Sequence, residues 1–82
     1  MGPYTGEIRL FAFNRVTPLG WLVCDGSVLQ IVQQYTELYA LIGNIYGGDG
    51  QSNFALPNLK GKEPVPGSVY CICYNGIFPS QG

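Results

Sequence analysis

A glycine-rich loop at residues 46–54 (YGGDGQSNF) is the first stretch of this chain whose residue types could do chemistry. Such loops can cradle phosphate, bend around a calcium ion or turn the chain. A phosphate loop needs a lysine and a Ser or Thr directly after its glycines, but Gln51 and Ser52 occupy those positions. An EF-hand needs several Asp or Asn oxygens and a closing Glu, whereas Asp49 is the only carboxylate here. We therefore interpret the loop as a turn and expect no metal and no cofactor.

Cys24 beside Asp25 is the second candidate, because an activated thiol can act as a nucleophile. Activation needs a base partner, and the chain has no histidine. The five carboxylates are scattered along the sequence. A carboxylate pair for acid–base catalysis is defined by its separation in space, but nothing in the sequence supports one. We expect a turn at this position and no enzymatic activity.

The three cysteines, Cys24, Cys71 and Cys73, leave several possibilities open. Three thiolates cannot complete a four-ligand zinc site alone. On a strand Cys71 and Cys73 point to the same face and are poorly placed to bond each other. Free cysteines are often buried as small hydrophobic residues, which is the favoured interpretation. A disulfide between Cys24 and one of the others, or one between subunits, is the alternative.

The composition indicates association with other chains. Charged residues make up 11% of the 82 residues, against roughly 25% in ordinary domains, while aromatic residues reach 13%. Surfaces poor in charge and rich in aromatics are typical of protein interfaces. The net charge of −1 and the absence of a basic run argue against nucleic-acid binding. No apolar stretch is long enough for a membrane span, and the start of the sequence lacks a secretory signal, so we expect synthesis in the cytoplasm.

The elements that must position these residues follow from periodicity. Alternation predicts strands at 6–13 and 68–78, and Asp25-Gly26 predicts a tight hairpin over 21–31. Residues 14–20 and 44–67 lack a period and carry Gly, Pro and Asn, which predicts loops, the second one long and structured. A helix is predicted at 32–43, since one face carries apolar residues at i, i+3, i+4 and i+7: Tyr35, Leu38, Tyr39 and Ile42.

Together these elements predict an α+β fold in one domain over residues 1–82. We expect a small, mainly antiparallel β-sheet against one amphipathic helix, with the long Gly/Pro-rich loop beside them.

The order of the motifs resembles the phage tail collar domain family, which includes short tail-fibre proteins and microcystin-dependent-like proteins. GW-x-x-CDG, YGGDG, F-x-LP-x-L-x-G and a closing YCICYNGIFPS occur in this order between about residues 6 and 80. The resemblance implies an architectural role for the motif residues: two glycine-driven turns, an aromatic clamp of Tyr46 and Phe54, and a loop pinned by Pro57. The motif residues are Trp21, Cys24, Asp25, Gly26, Tyr46, Gly47, Gly48, Asp49, Gly50, Phe54 and Pro57.

The resemblance implies structural work in a phage tail fibre or a phage-tail-like assembly. Tail-fibre members of the family form homotrimers, and some fibre tips engage cell-surface glycans, so the expected partners are further copies of the chain, other tail or fibre proteins, and glycan. The expected place is the virion tail or another extracellular assembly. Many relatives carry a long glycine-rich region before the closing strand, whereas only residues 63–69 separate Lys62 from Tyr70 here.

Two alternative functions are considered for the chain. One is a self-assembling bacterial filament or surface appendage, with disulfides between subunits, and the other is a glycan-binding module.

Overall fold

The computed structural model describes residues 2–80 and has a flattened shape of 35 × 30 × 20 Å. Five short strands and one helix, preceded by a turn of 3₁₀ helix, make up its regular structure. In chain order they are β1 Ile8–Phe11, β2 Trp21–Val23, β3 Val28–Gln30, the 3₁₀ helix Gln33–Tyr35, α1 Thr36–Ile42, β4 Asn53–Ala55 and β5 Val69–Cys73. No helix within this part of the chain is long and apolar enough to cross a membrane.

The strands form two antiparallel sheets, which confirms the predicted α+β class. The larger sheet has the order β1-β5-β2, and the smaller one pairs β3 with β4. Strand β5 lies in the centre of the larger sheet, with Ile72 opposite Ile8 on one side and opposite Leu22 on the other. Because opposite residues share a face, the alternation in β5 places Ile72 toward the core and Cys71 and Cys73 on the other face.

The hairpin predicted at 21–31 is wrong. Strand β2 pairs with β5 and β3 pairs with β4, so the two halves of the supposed hairpin belong to different sheets. A two-residue hairpin turn of the expected type needs positive φ at both central residues, but among residues 2–80 only glycines have positive φ. Asp25 instead forms an isolated bridge with Asn58. The Asp25-Gly26 step therefore carries the chain from one sheet to the other.

The loop predicted at 44–67 is interrupted by β4. The segment Phe54, Ala55 and Leu56 is buried at consecutive positions, between 0 and 5% exposed. Consecutive burial gives no alternation of apolar and polar residues, and that alternation is the pattern by which a half-buried strand is recognised. The sequence of this segment therefore resembles that of a loop, although Phe54 and Ala55 belong to strand β4.

The predicted helix is present, split into the 3₁₀ turn and α1. Leu38 is fully buried and anchors the helix in the core, with Tyr35, Tyr39 and Ile42 packed around it at partial exposure. The helix ends at Ile42 and is capped by Gly43, which has a φ of 55° and donates its N–H to the Tyr39 carbonyl. The buried core cluster contains Cys24, Leu38, Phe54, Leu56 and Ile72.

The two ends of the described chain lie side by side. Tyr4 and Ile77 form a parallel bridge, Thr5 N–H donates to the Ile77 carbonyl at 2.9 Å, and Ile77 N–H donates to the Pro3 carbonyl at 2.8 Å. The Thr5 hydroxyl oxygen, from a residue only 3% exposed, accepts the Gly76 N–H at 3.0 Å. Gly76 also packs against Cys73, since a Cβ added to it would lie 2.9 Å from the Cys73 Sγ atom.

Candidate functional site

The glycine-rich loop is organised by the carboxylate of Asp49. One oxygen, Oδ1, accepts the backbone N–H groups of Gln51, Ser52 and Asn53 at 2.8, 2.9 and 3.2 Å. The other, Oδ2, accepts the Ser52 hydroxyl at 3.1 Å. These hydrogen bonds, the one from Gln51 N–H foremost, lower the pKa of Asp49 from 3.8 to about 2. The carboxylate is thus held ionised by donors of its own loop and acts as the hub of a turn.

Gly48 permits a close approach between the two arms of this loop. Its φ is +88°, and a Cβ added to it would lie 2.6 Å from Phe54 Cα and 3.0 Å from the Asn53 carbonyl oxygen. The arms are joined on either side of this point, because Gly50 N–H donates to the Asn53 carbonyl at 2.9 Å and Ala55 N–H donates to the Gly47 carbonyl at 3.0 Å. Only glycine combines this backbone conformation with this spacing.

The aromatic contact that holds the loop comes from the helix. The ring of Phe54, 0% exposed, lies 5.3 Å from the ring of Tyr39, and the Tyr39 hydroxyl donates to the Gly50 carbonyl at 2.7 Å. Tyr46, which the sequence motif suggests as the clamp beside Phe54, is 50% exposed. The ring that packs on Phe54 is therefore that of Tyr39, since α1 places it directly over the loop.

The CDG motif links the two sheets along the chain, and it also contacts the segment that follows β4. Asp25 Oδ1 accepts the N–H and the hydroxyl of Ser27, and the hydroxyl contact is the main cause that lowers the pKa of Asp25. Gly26, with φ +81°, packs against Asn58, 3.2 Å from where its Cβ would be, and donates its N–H to the Pro57 carbonyl at 3.2 Å. The CDG turn and the LPNL segment thus fold against each other, and Pro57 is buried between them.

Trp21 lies in an aromatic stripe, which we define as Phe11, Phe13 and Trp21. The rings of Phe11 and Trp21 meet edge to face at 5.2 Å, and those of Phe11 and Phe13 are 5.5 Å apart. The Arg9 guanidinium lies 5.7 Å from the Trp21 ring centroid and pairs with Glu7 at 2.6 Å. The stripe crosses one face of the larger sheet from β1 to β2, where Arg9 covers it only in part.

These motifs agree with a known family. The sequence matches the family described as Phage Tail Collar Domain over residues 6–64, which is more than half of the chain. The chain belongs to the phage tail collar domain family. No curated protein and no solved structure gives a match. The matched region holds the GW, CDG and YGGDG motifs and ends before β5. Membership of this family identifies the chain as a structural domain of phage tail fibres.

The three thiols of this collar domain are free and inaccessible. Cys24 is 2% exposed, and Cys71 and Cys73 are 0% exposed. Burial raises the pKa of Cys24 to about 11 and also raises the pKa of Cys71. Neutral buried thiols behave as small hydrophobic groups, which agrees with the favoured interpretation of the sequence. A disulfide between subunits would first require one of these residues to be drawn out of the fold.

The surface of the collar domain exposes many large hydrophobic residues. An open groove of about 420 Å³ lies along β2 and is lined by Leu19, Leu22, Leu29 and Leu56, with Asp25 at its rim. Leu19 is 97% exposed, the highest value among the large hydrophobic residues, and Ile45 and Val16 follow at 77 and 67%. Within residues 2–80 no group of three His, Cys, Asp or Glu side chains could hold a metal ion. The exposed large hydrophobic residues are Tyr4, Ile8, Leu10, Phe13, Val16, Leu19, Val28, Val32, Leu41, Ile45, Tyr46, Val65, Ile77 and Phe78.

Proposed function

We propose that this collar domain is a non-enzymatic structural part of a phage tail fibre or phage-tail-like assembly and works by homo-oligomerisation. Its place would be the virion tail, where it would also contact other tail or fibre proteins, as family membership suggests. The observation that carries the proposal is the apolar surface. Among residues 2–80, fourteen large hydrophobic residues are exposed, whereas the sequence has only nine charged side chains.

The dimensions of the domain support the same proposal. Its accessible surface is 5297 Å², whereas a compact monomer of this mass is expected to expose about 4,800 Å². Its radius of gyration is 12.7 Å, against roughly 11.7 Å for a compact chain of this length. A flat domain with more accessible surface than a compact monomer gains stability when a second chain covers the apolar part of that surface.

We propose that the domain is not catalytic because the two carboxylates in its motifs, Asp25 and Asp49, are held ionised by hydrogen bonds from their own turns. Asp49 accepts four hydrogen bonds from its own loop, and Asp25 holds the Ser27 turn. These hydrogen bonds lower the pKa of both carboxyl groups, so both groups are kept ionised. A general acid or base at neutral pH needs the opposite kind of shift.

The alternatives differ in their support. A filament or surface appendage uses the same apolar surface, but the burial of the three cysteines disfavours disulfides between folded subunits. Glycan binding would use exposed aromatic rings, for which Tyr4 at 49% and Tyr46 at 50% are candidates. Synthesis in the cytoplasm and later assembly outside the cell remain part of the proposal.

Native mass spectrometry with and without reductant separates these functions. We expect a discrete oligomer or a polymer that is unaffected by reductant. An assembly that falls apart only after reduction would support the disulfide-linked appendage instead. A monomer at high concentration together with hits on a glycan array would replace assembly by glycan binding.

A further inference from the structure

The backbone groups at the two edges of the larger sheet determine how this sheet can be extended. In an antiparallel pair, every second residue directs its N–H and C=O toward the neighbouring strand and the residues between direct theirs away. Cys73 N–H donates to the Glu7 carbonyl, whereas Cys24 N–H donates to the Tyr70 carbonyl and Tyr74 N–H to the Gly20 carbonyl. Odd residues of β5 therefore bond to β1, and even residues bond to β2.

The edge of β1 is open over its whole length. Since Glu7, Arg9 and Phe11 face β5, Ile8 and Leu10 direct both backbone groups outward. Neither residue has a hydrogen-bond partner for these groups among residues 2–80. Proline, lysine and a covering loop commonly protect such edges, but β1 contains no Pro or Lys, and Ile8 and Leu10 are 39 and 37% exposed.

The edge of β2 is open at only two groups. Trp21 and Val23 direct their backbone groups outward, but Trp21 N–H already donates to the Pro18 carbonyl at 3.1 Å and the Val23 carbonyl accepts Asp25 N–H at 2.9 Å. The Trp21 carbonyl and the Val23 N–H remain without partners within residues 2–80. When a parallel strand adds to an edge, one of its residues donates its N–H to a C=O of the edge strand and accepts the N–H of the residue two positions further on. The Trp21 carbonyl and the Val23 N–H have this spacing.

We propose that β1 of a second copy adds in parallel to β2, so that Ile8 of that copy donates its N–H to the Trp21 carbonyl and accepts the Val23 N–H. The proposal rests on the homo-oligomerisation proposed above and specifies its surface. The direction fits, because β1 and β2 both run antiparallel to β5 and are therefore parallel to each other. A second copy that is translated along the sheet, without rotation, therefore presents its β1 parallel to β2 of the first copy.

The side chains fit the same arrangement. Ile8 and Leu22 both lie opposite Ile72, so they occupy the same face of the sheet and would remain on one face after the addition. Arg9 of the second copy would then lie beside Val23, two residues before Asp25 at the rim of the apolar groove. Asp25 Oδ2 accepts no hydrogen bond from residues 2–80, since both bonds from Ser27 end on Oδ1. The pairing thus brings a half-exposed cation toward an available carboxylate oxygen.

The interface is head-to-tail, because β1 of each copy meets β2 of the next. Such heterologous contacts form a ring when the rotation between copies closes and a filament when it does not. Every subunit inside the assembly uses both edges, and a subunit that has lost one edge can only cap an end.

Proline variants test this pairing without removing a hydrogen bond inside the subunit. Ile8→Pro deletes an outward N–H of β1 and Val23→Pro deletes the outward N–H of β2, and edge positions with outward N–H groups tolerate proline. Val28→Pro is the matched control, since its N–H faces away from β4 at the edge of the other sheet. Sedimentation velocity gives the association constant of each variant, and circular dichroism checks its fold.

We expect Ile8→Pro and Val23→Pro each to weaken association at least about tenfold, with Val28→Pro unchanged. Mixing the two weakened variants should restore a 1:1 heterodimer that grows no further, because each variant retains the edge that the other has lost. An oligomer that all three variants leave intact would overturn the pairing while the proposed function stands. A wild-type chain that stays monomeric would overturn both. If Ile8→Pro alone abolishes association and the mixture forms no heterodimer, β1 pairs with β1 and the head-to-tail arrangement is wrong.

Discussion

Gly48→Ala is the substitution that most directly probes the YGGDG loop. The new Cβ would lie 2.6 Å from Phe54 Cα, a backbone atom that no side-chain rotation can move away. The residue would also have to keep a φ of +88°. Both effects act on the folded state, so the variant should be strongly destabilised.

The magnitude can be estimated from the two effects separately. A left-handed backbone conformation costs a residue with a side chain about 1–2 kcal/mol, and overpacking costs about 1–3 kcal/mol more. Restricting the unfolded chain returns about 0.4–1 kcal/mol. We therefore expect Gly48→Ala to lower the free energy of unfolding by about 2–4 kcal/mol, which corresponds to roughly 10–25 °C in Tm for a domain of this size.

Two other glycines provide matched controls. Gly61 has a φ of +86° but no atom within 4 Å of an added Cβ, so Gly61→Ala isolates the cost of the backbone conformation. Gly76 lacks a positive φ in the strained range, but its Cβ would overlap the Pro3 carbonyl oxygen, so Gly76→Ala isolates the clash.

Urea unfolding followed by the fluorescence of Trp21, the only tryptophan, gives the free energies of all three variants. We expect both Gly48→Ala and Gly76→Ala to be less stable than Gly61→Ala, whose added Cβ meets no atom within 4 Å. If Gly48→Ala is as stable as Gly61→Ala, the close approach of the loop arms does not hold the fold and our account of the motif is wrong.

Three further predictions concern the same motifs. Tyr39→Phe removes the hydrogen bond to Gly50 and should cost about 0.5–1.5 kcal/mol in urea unfolding, while Tyr46→Phe, at a half-exposed ring, should change nothing; equal effects would contradict the assignment of Tyr39 to the loop. Because the pKa of Asp49 falls from 3.8 to about 2 on folding, its stabilisation is present above pH 4 and disappears as the pH falls through about 2. Thermal unfolding between pH 2 and 6 should therefore be less pH-dependent for Asp49→Asn than for the wild type, and parallel curves would refute this. Because all three thiols are buried, at 0–2% exposure, and burial raises the pKa of Cys24 to about 11, they should stay unreactive toward a disulfide reagent at pH 8 until denaturant is added; fast labelling of the native chain would show that a cysteine is accessible.

The sequence predicted the local features of the fold better than the pairing of its strands. The helix face around Leu38 and the closing strand β5 depend on neighbouring residues, and both are present in the structure. The partners of β2 and β3 depend on residues far along the chain. Asp25-Gly26 has the composition of a hairpin turn, but β5 and β4 take up the strands on either side of it.

The contacts within the motifs show a similar division. The turn-forming role of Asp49 follows from one aspartate before Gln, Ser and Asn, whose N–H groups it can reach locally. The packing of Tyr39 on Phe54 could not be predicted from the sequence, because it depends on how α1 lies across the loop. Tyr46 is closer to the glycines in sequence, yet it is half-exposed. Proximity along the chain is therefore a poor guide to which aromatic ring holds a loop.

The molar mass of the purified chain in solution tests the central claim, that the apolar surface of this collar domain serves self-association. Sedimentation equilibrium over a wide concentration range measures it without labels, and the monomer has a mass of 8.9 kDa. We predict a mass of at least two subunits at micromolar concentration, with no change on adding reductant. A mass of one subunit at the highest concentration reached would contradict the account.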